Sequence, residues 1–496
     1  MNAMTSRWLA SRSWLLNPAT WLGASVFSMT AIGSAVAATV EEAQSAVQDR
    51  QSVAVTIYND GLALVRDERK IKLNQGLNRI ALREVSAQIM PQTASLRATD
   101  GSALSLLEQN FDYDLLSSES LLNKYVGRTV TVIRTNPSTG LDVSETATVL
   151  ANNAGPVLKY ADRIETGLPA NARLAFDGVP GNLRDQPTLV VSLNAQKAGS
   201  PTVDLSYLTG GLSWQADYVA TLSQDENSLD LAGWVTLSNQ SGVAYDDAKL
   251  QLVAGDVGRA APERAVMMKS MDSRAVAAMA PAPMQQEALF EYHLYTLPRT
   301  TTLGNNQTKQ VSLLSAASVP VRKEYRLQGA EHWYYQLRDA NSSPELGDKR
   351  KVDVFVEFDN KDGDLGVPLP KGVVRMYKGD SQQRALFIGE DRIDHTAKEE
   401  TVRLKLGSAF DLNGTWKHTS TKRLSSNLYE MAFTIELRNA KEVPATIKVV
   451  EPIPGDWTIL NESHKHSKPT ANLAQWNVEV PADGKTELSY TVRIQY

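Results

Sequence analysis

The chain of 496 residues sets 51 Lys and Arg against 56 Asp and Glu, a formal charge of −5 at neutral pH, and has no cysteine. The lack of cysteine excludes disulfides, thiol nucleophiles, thiolate metal sites and iron–sulfur clusters, so hydrophobic cores must supply the stability. A mildly acidic balance without a basic cluster excludes the electrostatic footprint of a protein that grips nucleic acid or anionic lipid.

The N-terminus has the order of a secretory signal peptide. Arg7 and Arg12 precede any acidic residue, an apolar small-residue stretch runs from Trp14 to Ile32, and Ala35-Val36-Ala37 follows. Cleavage is expected after Ala37, giving a periplasmic or secreted protein whose charge, without the two arginines, moves from −5 to −7. Asn17, Pro18, Ser25, Ser28 and Thr30 break up the apolar run, which argues against a retained anchor. Lipid attachment through a cysteine is closed. No later run is long enough for a membrane helix, so no integral span is expected after cleavage.

Downstream, period-2 alternation dominates. Val352, Val354, Val356 and Phe358 alternate with Asp353, Phe355 and Glu357, and Val402, Leu404 and Leu406 do the same. Phe433, Ile435 and Leu437 repeat the pattern, as do Leu488, Tyr490, Val492, Ile494 and Tyr496. Each stretch reads as a strand with one buried and one wet face. The expected fold is all-β and multi-domain: small N-terminal β modules, then immunoglobulin-like β-sandwiches, with one short helix and one long disordered loop.

In chain order, 1–37 is the signal peptide and 38–115 an N-terminal β domain, with Asn59-Asp60-Gly61 as a hairpin turn. Residues 116–185 read as a small barrel-like module opened by a helix over Ser117 to Tyr125, with hydroxyls to cap it. A first immunoglobulin-like sandwich follows over 186–259, and an Ala/Met/Pro-rich loop over 260–288. A C-terminal sandwich region occupies 289–496. Leu231–Leu237 ends at Asn239 and Phe433–Leu437 ends at Asn439, each followed by a polar loop and a new strand. A duplication would produce this, and so would ordinary β grammar.

Three segments resemble a known family. Pro368-Leu369-Pro370-Lys371-Gly372-Val373-Val374-Arg375-Met376-Tyr377, followed by Phe387 to Thr396, is similar to the domain of unknown function 4139. So are Leu208 to Tyr218, with Gly211, Trp214 and Tyr218 in its Gly-x-x-Trp-x-x-x-Tyr pattern, and Val319 to Lys323. The resemblance covers roughly 200–496 and implies a secreted β protein, with no reaction and no catalytic residues attached. Some relatives carry a coiled coil, for which this chain has no heptad run.

Glu390-Asp391-Arg392-Ile393-Asp394-His395 is the most chemically capable cluster, because carboxylates beside a histidine can hold a divalent cation or act as acid and base. A strand-to-strand turn with Arg392 pairing locally with Glu390 or Asp394 is the simpler account, because a catalytic dyad needs partners across a pocket that one segment does not supply. Trp214 and Tyr218 share a strand face and are expected to anchor a core. Trp333-Tyr334-Tyr335, taken as strand, must face both sides, which makes Trp333 and Tyr334 candidates for a binding face.

Five methionines between Met267 and Met284 could ligate copper(I), but no histidine accompanies them and a loop explains them better. His464 and His466 make at best a weak ligand pair. Asp359 to Asp364 fails the EF-hand pattern, since Phe358 falls on the first ligand position. The alternation ending at Tyr496 also occurs in outer-membrane barrels, but aromatics at 7 % of the chain and strands broken by Pro favour a sandwich.

The expected function is a non-catalytic envelope protein that binds or scaffolds through its β surfaces, with a protein or glycan partner, no cofactor and no assigned metal. The alternative is a carbohydrate-active or metal-assisted hydrolase using the cluster from Glu390 to His395, with Asp391, Asp394 and His395 as its working groups.

Overall fold

The computed structural model describes residues 41–59, 61–181, 183–255, 257–258, 284–338, 349–361 and 363–496. The expected signal segment, Asp60, Asp362, the methionines from Met267 to Met279 and nearly all of the expected 260–288 loop lie outside these residues. The last part of that expected loop is a strand, Gln285–Leu289.

The chain is all-β, and its two principal sheet systems are copies of each other. In the first copy, β1 (Arg50–Tyr58) and β2 (Ala63–Lys70) form a hairpin, and β3 (Thr202–Thr209) pairs antiparallel with β2. After Gly210-Gly211 the chain continues as β4 (Leu212–Leu222), which forms a hairpin with β5 (Ser228–Asn239). Next, β6 (Tyr245–Ala254) runs parallel to β1, β7 (Tyr292–Thr296) pairs with β6, and β8 (Gln307–Pro320) pairs with β5.

The second copy has the same order. β9 (Arg322–Gln328) and β10 (Lys349–Asp359) pair antiparallel. The single long strand β13 (Thr401–Arg423) replaces β3 and β4 together: its first part pairs with β10, its second with β14 (Leu428–Asn439). β15 (Ala445–Pro452) runs parallel to β9, β16 (Leu473–Val480) pairs with β15, and β17 (Gly484–Gln495) pairs with β14.

The register agrees as well. Leu212 pairs with Asn239 and Leu412 with Asn439. Asn239 faces Gln307 and Asn439 faces Gly484, and the residue before each of these has positive φ, Asn306 at 54° and Asp483 at 46°. The likeness expected from Asn239 and Asn439 is therefore a duplication of a seven-strand unit.

Each copy is interrupted between its second and third strands. In the first, residues 71–201 leave to build two other sheets and return only Ser95–Ala98, as an edge strand on β3. One joins Glu42–Ser45, Gly76–Arg83, Thr188–Ala195 and Leu104–Asp112; the other has five strands between Thr129 and Ala175. Helix α1 (Ser118–Lys124) precedes the latter, and the Ser117 hydroxyl accepts from the Ser120 amide, which satisfies one orphan donor of its first turn. In the second copy the interruption sends the hairpin β11 (Gly372–Gly379) and β12 (Ala385–Ile393) across to the first, where β11 runs parallel to β4. Strands from 186–259 thus spread over three sheets instead of closing one sandwich of their own.

The cores follow the strand period. In β14, Tyr429, Met431, Phe433, Ile435 and Leu437 are buried against Leu488, Tyr490, Val492 and Ile494 of β17. A larger core joins the first copy to Val356, Phe358, Val402 and Leu404 of the second. Each fully buried aliphatic side chain contributes about 1.5–3 kcal/mol. Among the described residues no helix is long and apolar enough to cross a membrane.

Candidate functional site

The cluster at the end of β12 does not converge. Glu390 pairs with Arg375 at 3.2 Å, and Arg375 also holds Asp217 at 3.0 Å. Asp391 accepts the backbone amides of Lys405 and Arg392 at 2.7 and 2.8 Å, fixing the strand against β13. Asp394 and His395 are exposed, and His395 Nδ1 accepts the amide of Lys371 at 3.2 Å. Glu390, an expected local partner of Arg392, pairs instead with Arg375 one strand away, because cross-strand neighbours on a sheet approach more closely than residues along it. Among the described residues no group of three or more His, Asp or Glu is arranged to hold a metal ion.

Trp333 and Tyr334 are not on a strand. They lie in a second helix, α2 (Glu331–Gln336), inside the β9–β10 connection. A helix turns neighbouring residues by about 100°, so Trp333 and Tyr334 both face the core while Tyr335 stays exposed. Neither side chain is a surface platform. Trp214 and Tyr218 are buried on β4, as expected of core anchors.

Tyr334 leads to the group that sequence reasoning missed. Its hydroxyl lies 3.0 Å from Glu451 Oε2 and 2.9 Å from the Tyr490 hydroxyl, and Trp416 Nε1 donates to Glu451 Oε1 at 2.5 Å. Glu451 sits on β15 with no exposure to solvent. Burial pushes its carboxyl up to about 7, against the opposing pull of the Trp416 and Tyr334 hydrogen bonds and of the Arg350 charge. Burial also pushes Tyr334 and Tyr490 well above the ordinary phenol range.

Aromatic rings surround this acid. Trp333 meets Trp416 edge-on at 5.3 Å, Phe433 stacks on Tyr490 at 5.2 Å, and Trp476 stacks on Tyr490 at 4.8 Å. Arg350 lies over the Trp333 ring at 4.4 Å. At Gly329, which leads into α2, a Cβ would fall 2.1 Å from Glu451 Oε2, so only glycine lets the chain pass. At the rim, Tyr335 meets Tyr496 at 5.4 Å and the Tyr496 hydroxyl donates to the Tyr334 carbonyl at 2.6 Å.

A second buried charged group lies in the first copy. Asp67 accepts from Arg69 and Arg50 at 2.8 and 2.9 Å, and Arg69 also donates to the Ser45 carbonyl. Every charge there has a partner, which makes it an internal brace.

The surface offers different features. On β12, Leu386, Phe387 and Ile388 are consecutive exposed apolar residues, with Phe387 55 % exposed and edge-on to Tyr377 at 5.8 Å. β13 passes alongside, and on it Phe410 is 97 % exposed. Clefts of about 440, 330 and 570 Å³ open near Lys70, Arg322 and Lys197, and none of the six expected site residues lines these three.

The profile of the family described as a domain of unknown function (DUF4139) matches residues 203–496. No curated protein matches the chain.

Proposed function

The chain belongs to the DUF4139 family, and from that premise we propose that it is an exported, non-catalytic protein of the cell envelope that binds a protein or glycan partner through its β surfaces. The observation that carries this reading is the apolar strip of Leu386, Phe387 and Ile388, on a strand in contact with the one that carries the exposed Phe410. Consecutive exposed apolar residues on an outer strand invite association, and natural sheets normally blunt such strands with charge or proline. The signal-like N-terminus supports export. The hydrolase alternative lacks support from the geometry, because Glu390 and Asp391 are engaged in bonds that hold strands together.

Cell fractionation tests the first half: the reading requires a mature N-terminus at Ala38 and absence from the cytoplasm. Co-sedimentation of the mature protein with isolated envelope tests the second. Wild type should pellet, and the double variant Phe387→Ser, Phe410→Ser should remain in the supernatant with an unchanged melting temperature. Equal behaviour of the two would remove the strip from the proposal.

A further inference from the structure

The two copies also differ where α2 lies. In the first, β1 and β2 are joined by residues 59–62; in the second, β9 and β10 are joined by 329–348, which include α2. The residues beneath α2 differ in step. Ala216 and Trp416 hold equivalent register positions, facing Val235 and Ile435. Leu314 faces Gly233 as Tyr490 faces Phe433. A one-residue irregularity in β6, with Asp247 at a φ of 49°, sets Ala248 opposite Thr301 as Ile447 is opposite Val478, so Leu252 corresponds to Glu451. Ala, Leu and Leu in one copy have become Trp, Tyr and Glu in the other, and all three reach toward the insertion.

We propose that α2 is a latch on the second copy, governed by the charge on Glu451: seated over the neutral acid and released when the acid gives up its proton. The neutral acid is satisfied in place when its Oε1 accepts from Trp416 and its own O–H turns to the Tyr334 oxygen 3.0 Å away, with the Tyr334 hydroxyl donating on to Tyr490. An ionised one would be held among aromatic rings without water, and the cheapest relief is to lift whatever covers it. The charged and titratable groups facing Glu451 are Tyr334 from α2, Tyr490 from β17 and Arg350 from β10. The neighbouring strand β16 presents Ala474, and the approach to α2 presents Gly329.

Of these covers α2 is the weakest. It spans Glu331–Gln336, and Ala330 at its N-cap makes no side-chain capping bond. A helix this short has little stability apart from its tertiary contacts. The strands on the other sides belong to continuous ladders. The first copy keeps the same strand order without any such insertion, so lifting α2 leaves the sheet intact.

Hydrogen exchange of the α2 amides in the mature full-length protein tests the latch, measured between pH 5 and pH 8, corrected for intrinsic exchange and referenced to β14. Protection of α2 should fall by about tenfold per pH unit up to near neutrality and then level off, since a single proton is linked to opening. Glu451→Gln should abolish the slope. Tyr334→Phe should keep the slope while raising exchange throughout. A flat wild-type profile overturns the proposal whether or not the variants fold, and so does a slope that survives in Glu451→Gln.

Discussion

Asn239 and Asn439 occupy the same place in the two copies and make the same bonds. Asn239 Nδ2 reaches the carbonyls of Val243, Leu303 and Gly304, and Asn439 Nδ2 those of Val443, Val480 and Pro481. Each Oδ1 accepts the amide two residues on, from Ser241 or Lys441. Alanine at either position strands these carbonyls and should cost about 2–3 kcal/mol in urea unfolding. Because the two sites share no partner, the double variant should lose the sum within about 0.5 kcal/mol.

Asp67 answers for two arginines, one of them fully buried. Burial raises its carboxyl, but the Arg69 charge and the Arg50 hydrogen bond outweigh this and hold it below the ordinary range. The stability it contributes is therefore present above the unfolded value of about 4 and lost as pH falls below it. Asp67→Asn should cost about 3–5 kcal/mol at neutral pH, because it leaves buried cations unpaired, and should flatten the acid limb of the stability curve.

Glu451 has the opposite sign. Its folded value of about 7 lies above the unfolded value of 4.5, so the folded protein holds the extra proton and loses stability as pH rises between the two. The loss should amount to at most about 3 kcal/mol, read as a urea midpoint that falls from pH 5 to pH 8. In Glu451→Gln this part of the fall should vanish.

Asp391 should matter for stability and not for chemistry. Asp391→Ala removes the acceptor for the Lys405 and Arg392 amides and should cost about 1 kcal/mol. Asp394→Ala should leave the melting temperature unchanged, His395→Ala should cost no more than about 1 kcal/mol for the lost Lys371 bond, and neither should change calorimetric titrations with calcium or zinc. A wild-type metal isotherm lost in these variants would reopen the hydrolase reading.

Phe410→Ser should shift stability by no more than about 0.5 kcal/mol, since the ring contributes little to any core. Binding of an apolar dye to the native protein should drop in the same variant. A large loss of stability instead would mean that the ring is covered in solution.

Strands were legible wherever one face is buried. Val352 to Phe358 and Leu488 to Ile494 alternate as written and are strands. Trp333-Tyr334-Tyr335 misled because a short apolar run has the same appearance in either geometry, and α2 is too brief to show a helical period. Glu451 carried a usable signal: Ala445, Ile447, Val449 and Glu451 share one phase, which puts the carboxylate on the buried face. Asp67 and Arg69 follow Ala63 and Val65 in the same way. A charge in phase with core residues marks a buried polar group from the amino-acid order alone. The duplication was only half visible, because the strands that complete each copy are far apart in the chain and β pairing leaves no local trace of its partner.

The interruption of the first copy has a consequence for how the chain must be handled and how it must fold. The family match begins at Val203, inside a sheet whose middle strands, β1 and β2, end at Lys70. An expression fragment cut at that border would leave β3 and β6 as raw edges and should aggregate. In the intact chain, β1 waits for a parallel neighbour nearly two hundred residues downstream, Ala54 for Lys249. Such distant pairing closes slowly, so the N-terminal hairpin has to survive without its parallel neighbour until about half of the chain has been delivered. The hairpin is thus made early and completed only when the middle of the chain arrives.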